Sequence, residues 1–306
     1  MNAISHEFSY AKALAASERV NWRVEDIIGG DRRLDFSKPF MPEALARTAS
    51  LDFLDAGAKL TLNHIRANGY LYTFGLVEEF ILPFVLDHAR PMLAQDDVRT
   101  RALLRFAMEE AKHIHLFRTF EHEFEAGFGT RCEMIGPAEQ VAAAVLAHHP
   151  LSVALLILQV EWMTQRHYLD SIRDNAGLDE QFKSLLRHHW MEEAQHAQLD
   201  TLMVEAIAAG CSADEIDKAV DGYLEIGAMF DGAFKQQATF DLDALQVKTG
   251  LQLDAAQCEK IAVVQHQAMR WTYLGSGISH PNFLRSVEAL APAQAARLAE
   301  VAGVFN

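Results

Sequence analysis

The sequence predicts an all-α protein built on a four-helix bundle core with additional peripheral helices. Three observations carry that prediction. Apolar residues recur with helical periodicity through nearly the whole chain, while period-2 alternation of β-branched residues is not sustained anywhere. Four segments read as helices of about 25–35 residues, far beyond the usual mean of about 11–12, which suits a bundle better than a solenoid. The chain has 306 residues, 50% of them hydrophobic, and only 8 prolines, so it can bury a large core without interruption. With no Pro/Gly/Ser-rich linker, residues 1–306 are expected to form one domain, with the bundle core at about 52–209 and accessory helices at about 212–306.

In chain order, IIGGDRRLDFSKPF within the first 40 residues reads as loop, and Pro42 suits the first turn of a helix. The first long helix is expected at 52–87, with Gly69, Gly75 and Pro83 bending it. The second is expected at 97–124, opened by Asp97 and stopped by Gly127 and Gly129. The third is expected at 151–175, before Gly177, and the fourth at 179–208, opened by Asp179 and stopped by Gly210. Further helices are expected at 212–236, 254–273 and 292–303, with a loop at 274–283. This last third carries no chemical motif and reads as a packing or dimerisation element.

Composition excludes several classes. A formal net charge of -15 repels phosphate backbones, which argues against nucleic acid as a partner. Cys132, Cys211 and Cys258 form no CxxC pair, so neither a zinc ribbon nor a disulfide framework is expected. The N-terminus lacks a basic region followed by an apolar run, and no uninterrupted apolar stretch of about 18 residues occurs. The expectation is a cytoplasmic protein with no membrane span, and a homodimer as the default assembly.

The chemistry lies in an internal repeat. MEEAKH at 108–113 recurs as MEEAQH at 191–196, on the second and fourth long helices. Each copy sets a glutamate and a histidine three residues apart, Glu110 with His113 and Glu193 with His196, so both side chains leave the same face and can share one metal ion. The third helix offers Glu161 inside an apolar run, where an unpaired carboxylate would be costly. The first helix offers Glu78 or Glu79 inside FGLVEEFILPFV. The pattern Glu, Glu-x-x-His, Glu, Glu-x-x-His is the ligand set of dimetal-carboxylate bundles, and oxygen with imidazole donors suits iron or manganese.

Two arguments choose between Glu78 and Glu79. The repeat offset aligns Glu78 with Glu161. A helical projection puts Lys59, Asn63, Arg66, Thr73 and His88 on one side and Glu79 nearly opposite, and this amphipathic argument selects Glu79. Glu109 and Glu192 point about 100° from the ligand glutamates and read as surface groups or as carboxylates that orient a ligating histidine. His189 lies four residues before Glu193 on the same face, and would complete a set of four glutamates and three histidines.

Over about residues 60–205 the chain resembles the p-aminobenzoate N-oxygenase (AurF-type) diiron oxygenases of the ferritin-like superfamily. The matching residues are Glu79, Glu109 with Glu110 and His113, then Glu161, then His189, Glu193 and His196, with Glu109 standing where the family usually has Asp. The resemblance implies a ferritin-like core holding two iron ions (manganese being the alternative). It implies an oxygenase, in the manner of a monooxygenase, that uses O₂ to oxidise a small-molecule substrate, an aryl amine being the class best known in the family. The chain carries no flavin, nicotinamide or iron–sulfur motif, so electrons are expected from an external donor. The substrate pocket is expected between the helices near Phe106, Leu158 and Trp162, and Tyr72, one heptad before Glu79, is a candidate neighbour of the metals. The alternatives are a ferritin- or rubrerythrin-type protein that oxidises iron or scavenges peroxide, and a non-catalytic helical interaction protein.

Overall fold

The computed structural model, which describes residues 6–305, contains twelve α-helices among those residues. They are α1 Tyr10–Ser17, α2 Glu43–Ala46, α3 Ala56–Ala89, α4 Asp97–Phe128, α5 Ala138–Leu146, α6 Pro150–His167, α7 Glu180–Ala208, α8 Ala213–Thr249, α9 Ala255–Arg270, α10 Ser276–Ile278, α11 Pro281–Leu290 and α12 Pro292–Gly303. No strand occurs among the described residues.

The four long helices begin and end for local reasons. Asp55, Asp96 and Asp179 each accept a hydrogen bond from the backbone N–H three residues on, and so cap α3, α4 and α7. The caps put the first helix start at Ala56 rather than 52, and make Asp96 rather than Asp97 the cap of α4. Gly129 takes φ +69° just past α4, a left-handed closure that glycine adopts without strain. α6 stops sooner than expected, because at Tyr168–Ile172 the helix widens into a π turn.

α3 packs along α4 and α6 along α7, each pair joined by a short connection, while residues 129–149, including α5, cross from one pair to the other. Two hairpins with one long crossover make the ferritin-like four-helix bundle. α8 lies against α3, α6 and α9, and α1 lies across α4 and α7. α3 is long and apolar enough to cross a membrane, but 72% of that stretch is buried inside the protein.

Two expectations for the last third are corrected. α8 runs on to Thr249, well past 236, capped by a Ser212–Glu215 capping box at one end and Gly250 at the other. The segment 274–283 is not a loop. Helix α9 continues through a π turn at Trp271–Gly275 into α10, and α11 starts at Pro281, capped by His280. The glycines that read as breakers serve close packing. A Cβ on Gly277 would stand 2.7 Å from the backbone oxygen of Gln159 and 2.5 Å from its side-chain nitrogen. Gln159 is itself held, donating to the Tyr273 carbonyl at 2.9 Å and accepting from the Tyr223 hydroxyl at 3.2 Å. Gly277→Ala is therefore expected to destabilise the protein by about 1–3 kcal/mol, measured as a lower midpoint of urea or thermal unfolding. An unchanged midpoint would contradict this packing.

Candidate metal centre

The interior of the bundle holds a concentration of charge that a folded core does not tolerate without a purpose. Glu78, Glu109, Glu110, Glu161, Glu192, Glu193 and Asp200 are all buried, together with His113, His189 and His196. On α7, His189, Glu193, His196 and Asp200 follow one another at spacings of four, three and four, which keeps them on one face. On α4, Glu110 and His113 do the same, flanked by Phe106 and Phe117.

Donor atoms from three helices converge. One oxygen of Glu193 lies 3.0 Å from His189 Nε2, 3.1 Å from His113 Nδ1 and 3.4 Å from His196 Nδ1. Glu110 reaches 3.0 Å from His196 Nδ1 and 3.3 Å from His113 Nδ1, and Glu78 reaches 3.2 Å from His189 Nε2. Two overlapping groups result, Glu78–His113–His189–Glu193 and Glu110–His113–Glu193–His196, each with its donor atoms within 4.8 Å of one another. Glu161 on α6 stands close enough to Glu193 for the charge of one to act on the other. The buried cluster could thus hold two metal ions.

Unsatisfied atoms support that fit. Glu78 Oε2, Glu110 Oε1, Glu161 Oε2, Glu193 Oε1 and His196 Nδ1 are buried without a hydrogen-bond partner. Several stand about 3 Å from a neighbouring donor at angles unsuited to a hydrogen bond. Lone pairs aimed at common points, each costing about 1–3 kcal/mol if left bare, are what a shared cation would satisfy.

The outer nitrogens of two histidines are held crosswise. His113 Nε2 donates to Glu192 at 2.9 Å, and His196 Nε2 donates to Glu109 at 2.9 Å. In each MEEA(K/Q)H repeat, the first glutamate therefore orients the histidine of the other copy, leaving both Nδ1 atoms facing the cluster. Glu109 is held by Ser17 of α1, by Gln195 at 3.4 Å and by Arg105 at 3.4 Å. Glu192 is held by Lys112, whose ammonium lies 3.9 Å over the Trp22 ring. Phe106 packs on His196 with ring centres 4.1 Å apart, and Phe117 on His189 at 4.9 Å, so aromatic rings wall off the site.

The charges set one another. Burial pushes Glu110 up, but His196 and the hydrogen bonds around it hold its pKa down to about 2. Burial opposes Glu193 likewise, and His189 and His196 keep it well below the usual carboxylate range. Burial and the Glu110 charge raise Glu78 well above that range, and burial and Glu193 do the same to Glu161. Burial would discharge His113 and His196, but their carboxylate partners raise both well above the usual imidazole value. Glu78, Glu161, His113 and His196 therefore hold their protons to higher pH than free groups do, and a bound cation displaces those protons. Metal affinity is expected to rise with pH, about tenfold per pH unit for each proton released. Titration calorimetry in two buffers of different ionisation enthalpy counts those protons, and a count of zero would contradict the assignment of charges.

Of the sequence-predicted residues, Glu110, His113, His189, Glu193 and His196 come together, with Glu161 beside Glu193. Glu79 does not. It lies on the outer side of α3, 30% exposed, with Arg118 at 2.5 Å, while Glu78 occupies the interior. The projection misled because its polar side is not solvent-facing. Asn63, Arg66 and Thr73 are buried, Asn63 receiving the Phe40 and Met41 N–H groups and Arg66 facing Asp241 of α8 at 3.8 Å. Tyr72 follows Glu79 outward to a groove beside Arg118 and Glu121, and the tyrosine under the field of Glu193 and Glu78 is Tyr70. Asp200 went unrecognised. Its signal was the four-residue spacing after His196, and burial raises its pKa well above the usual range.

No protein-family model matches the chain, and no curated protein matches it. Similar solved structures include an R2-like ligand-binding oxidase with aerobically reconstituted Mn/Fe cofactor, at 16% identity over 86% of this chain and 92% of that one, with a TM-score of 0.41. A mutant R2-like ligand-binding oxidase with Fe/Fe cofactor matches at 16% identity over the same shares, also with a TM-score of 0.41. Likeness this distant adds nothing to the functional argument, which rests on the side chains.

Proposed function

We propose that the chain is a diiron-carboxylate oxygenase that uses O₂ to oxidise a small organic substrate, an aryl amine being the class its family resemblance implies. The observation that supports this most is the convergence of unsatisfied carboxylate oxygens and imidazole nitrogens on two points in a dry interior. In this reading Glu78, Glu110, His113, Glu161, His189, Glu193 and His196 would hold the two ions, His113 and Glu193 belonging to both converging groups. Oxygen-rich donors with three imidazoles favour iron, with manganese the alternative. Bound there, a redox-active pair of ions supplies the reduction of O₂ and the oxidation of substrate.

The chain's own residues do the rest. Glu109 and Glu192 fix the tautomers of His196 and His113 and anchor the imidazole rings. Phe74, Phe106 and Phe117 exclude water on the flanks. None of the expected wall residues Phe106, Leu158 and Trp162 borders the apolar cavity between α3, α6 and α8, whose walls include Phe74, Val77, Leu156 and Phe234. At about 20 Å³ it takes no aryl ring without opening. That tightness favours, as a second reading, ferritin-type iron oxidation or peroxide scavenging.

The two readings separate when anaerobic protein loaded with two Fe(II) per chain is mixed with O₂, p-aminobenzoate and a chemical reductant. Oxygenated amine detected by mass spectrometry is expected. Unchanged amine with continued oxidation of added Fe(II) beyond two per chain would favour the second.

A further inference from the structure

The cavity beside the site has a composition of its own. It measures about 20 Å³, and Phe74, Val77, Leu156, Val160, Phe234 and Leu274 supply much of its wall. Of its polar wall residues, Tyr273 donates its hydroxyl to the Gly69 carbonyl at 3.5 Å, and neither that oxygen nor the Thr73 hydroxyl is left buried without a partner. A water molecule needs roughly 10–15 Å³ and two to four polar partners. The cavity has the room and lacks the partners, so it stays dry. An apolar cavity that holds benzene is several times larger, about 150 Å³. What fits is a small neutral apolar molecule.

Its position ties it to the candidate metal centre. The Phe74 ring, which forms one wall, meets His189 edge-on at 5.5 Å between ring centres. Val77 and Val160 immediately precede Glu78 and Glu161. On the opposite side, Leu274 is shared with a second pocket of about 280 Å³, bordered by Gln159, Tyr223, Gly227, Asp231 and Phe305. Leu274 is 2% exposed and is the residue that the two linings share. It sits in the π turn Trp271–Gly275, where the wider helical turn recurs at functional sites.

We propose that the inner cavity is a holding site for dioxygen, filled from the outer pocket past Leu274. The proposal rests on the oxygen-consuming function above and adds where the gas waits and how it enters. No bond is made or broken at this step: an uncharged diatomic leaves water for an apolar space beside the ions.

The test needs no turnover. Full-length protein, methyl-labelled and loaded with zinc in place of a redox-active metal, is equilibrated under dioxygen pressure, and paramagnetic relaxation is read at each methyl group. Val77, Leu156 and Val160, 3–7% exposed, are expected to relax severalfold faster than Leu34 and Val24, which are buried to the same extent, at 7% and 3% exposure, but line neither space. Leu274→Trp should bring the inner methyls down to that control level, while the volume-conserving Leu274→Met should not. Equal relaxation at inner and control methyls in the unsubstituted protein would overturn the holding site, even if the tryptophan variant fails to fold. Unchanged inner relaxation in a folded Leu274→Trp protein would overturn the route. If the oxygenase reading alone is wrong, the inner methyls still relax fast while the iron-loaded protein leaves p-aminobenzoate unchanged under O₂.

Discussion

Glu193→Ala is expected to abolish loading of both metal ions. Its single oxygen stands within 3.0–3.4 Å of all three histidines, and Glu193 belongs to both converging groups. Losing an outer partner of a ligand costs about 10–100-fold in metal affinity, and losing a carboxylate common to two ions should exceed that at each. Thermal unfolding gives a second readout. An ion present at about 100 times its Kd stabilises the folded state by about 2.7 kcal/mol, so adding Fe(II) anaerobically should raise the Tm of the unsubstituted protein and leave that of Glu193→Ala unmoved. Two ions per chain retained by the variant would remove Glu193 from the centre of the account.

The second large effect separates neighbours in the sequence. Glu78→Ala and His189→Ala are each expected to halve the metal content, because Glu78 and His189 belong to one converging group and neither belongs to the other. Glu79→Ala is expected to keep both ions. Its carboxylate serves Arg118 in a half-exposed pair, and such pairs contribute at most about 1 kcal/mol. Elemental analysis of the three variants after identical anaerobic loading decides. Loss of metal from Glu79→Ala with retention in Glu78→Ala would reverse the assignment.

The contrast between those two glutamates measures how much of the site was legible. Spacing alone placed Glu110 with His113 and His189 with Glu193 and His196, because a helix fixes which side chains share a face. It could not phase α3. That helix is covered on nearly every side, by α4, α5 and α8, so its buried residues form no stripe. Asn63 and Arg66, polar by type, are interior groups bonded to other segments, and reading them as solvent-facing turned the projection away from Glu78. The repeat register, which aligned Glu78 with Glu161, was the better guide because both hairpins fold around the same centre.

The crosswise pairing was half visible. The doubled glutamates of MEEAKH and MEEAQH marked Glu109 and Glu192 as candidates for orienting a histidine. Which histidine each would hold depends on how α4 and α7 face each other, and no single helix carries that information. The last third hid more. Glycines at 275 and 277 look like breakers, yet they serve helices that pack too closely for a Cβ. Through α8 and the π turn this apparently silent region builds much of the cavity beside the site.

The central claim is that two ions sit inside the bundle, one on each converging group. Diffraction from crystals of iron-loaded protein, measured on both sides of the iron absorption edge, tests it most directly. The account predicts two anomalous peaks between α3, α4, α6 and α7, both in contact with Glu193, one beside Glu78 and His189 and the other beside Glu110 and His196. A single peak, or iron bound only at the surface with Glu78 and Glu161 left bare, would contradict it.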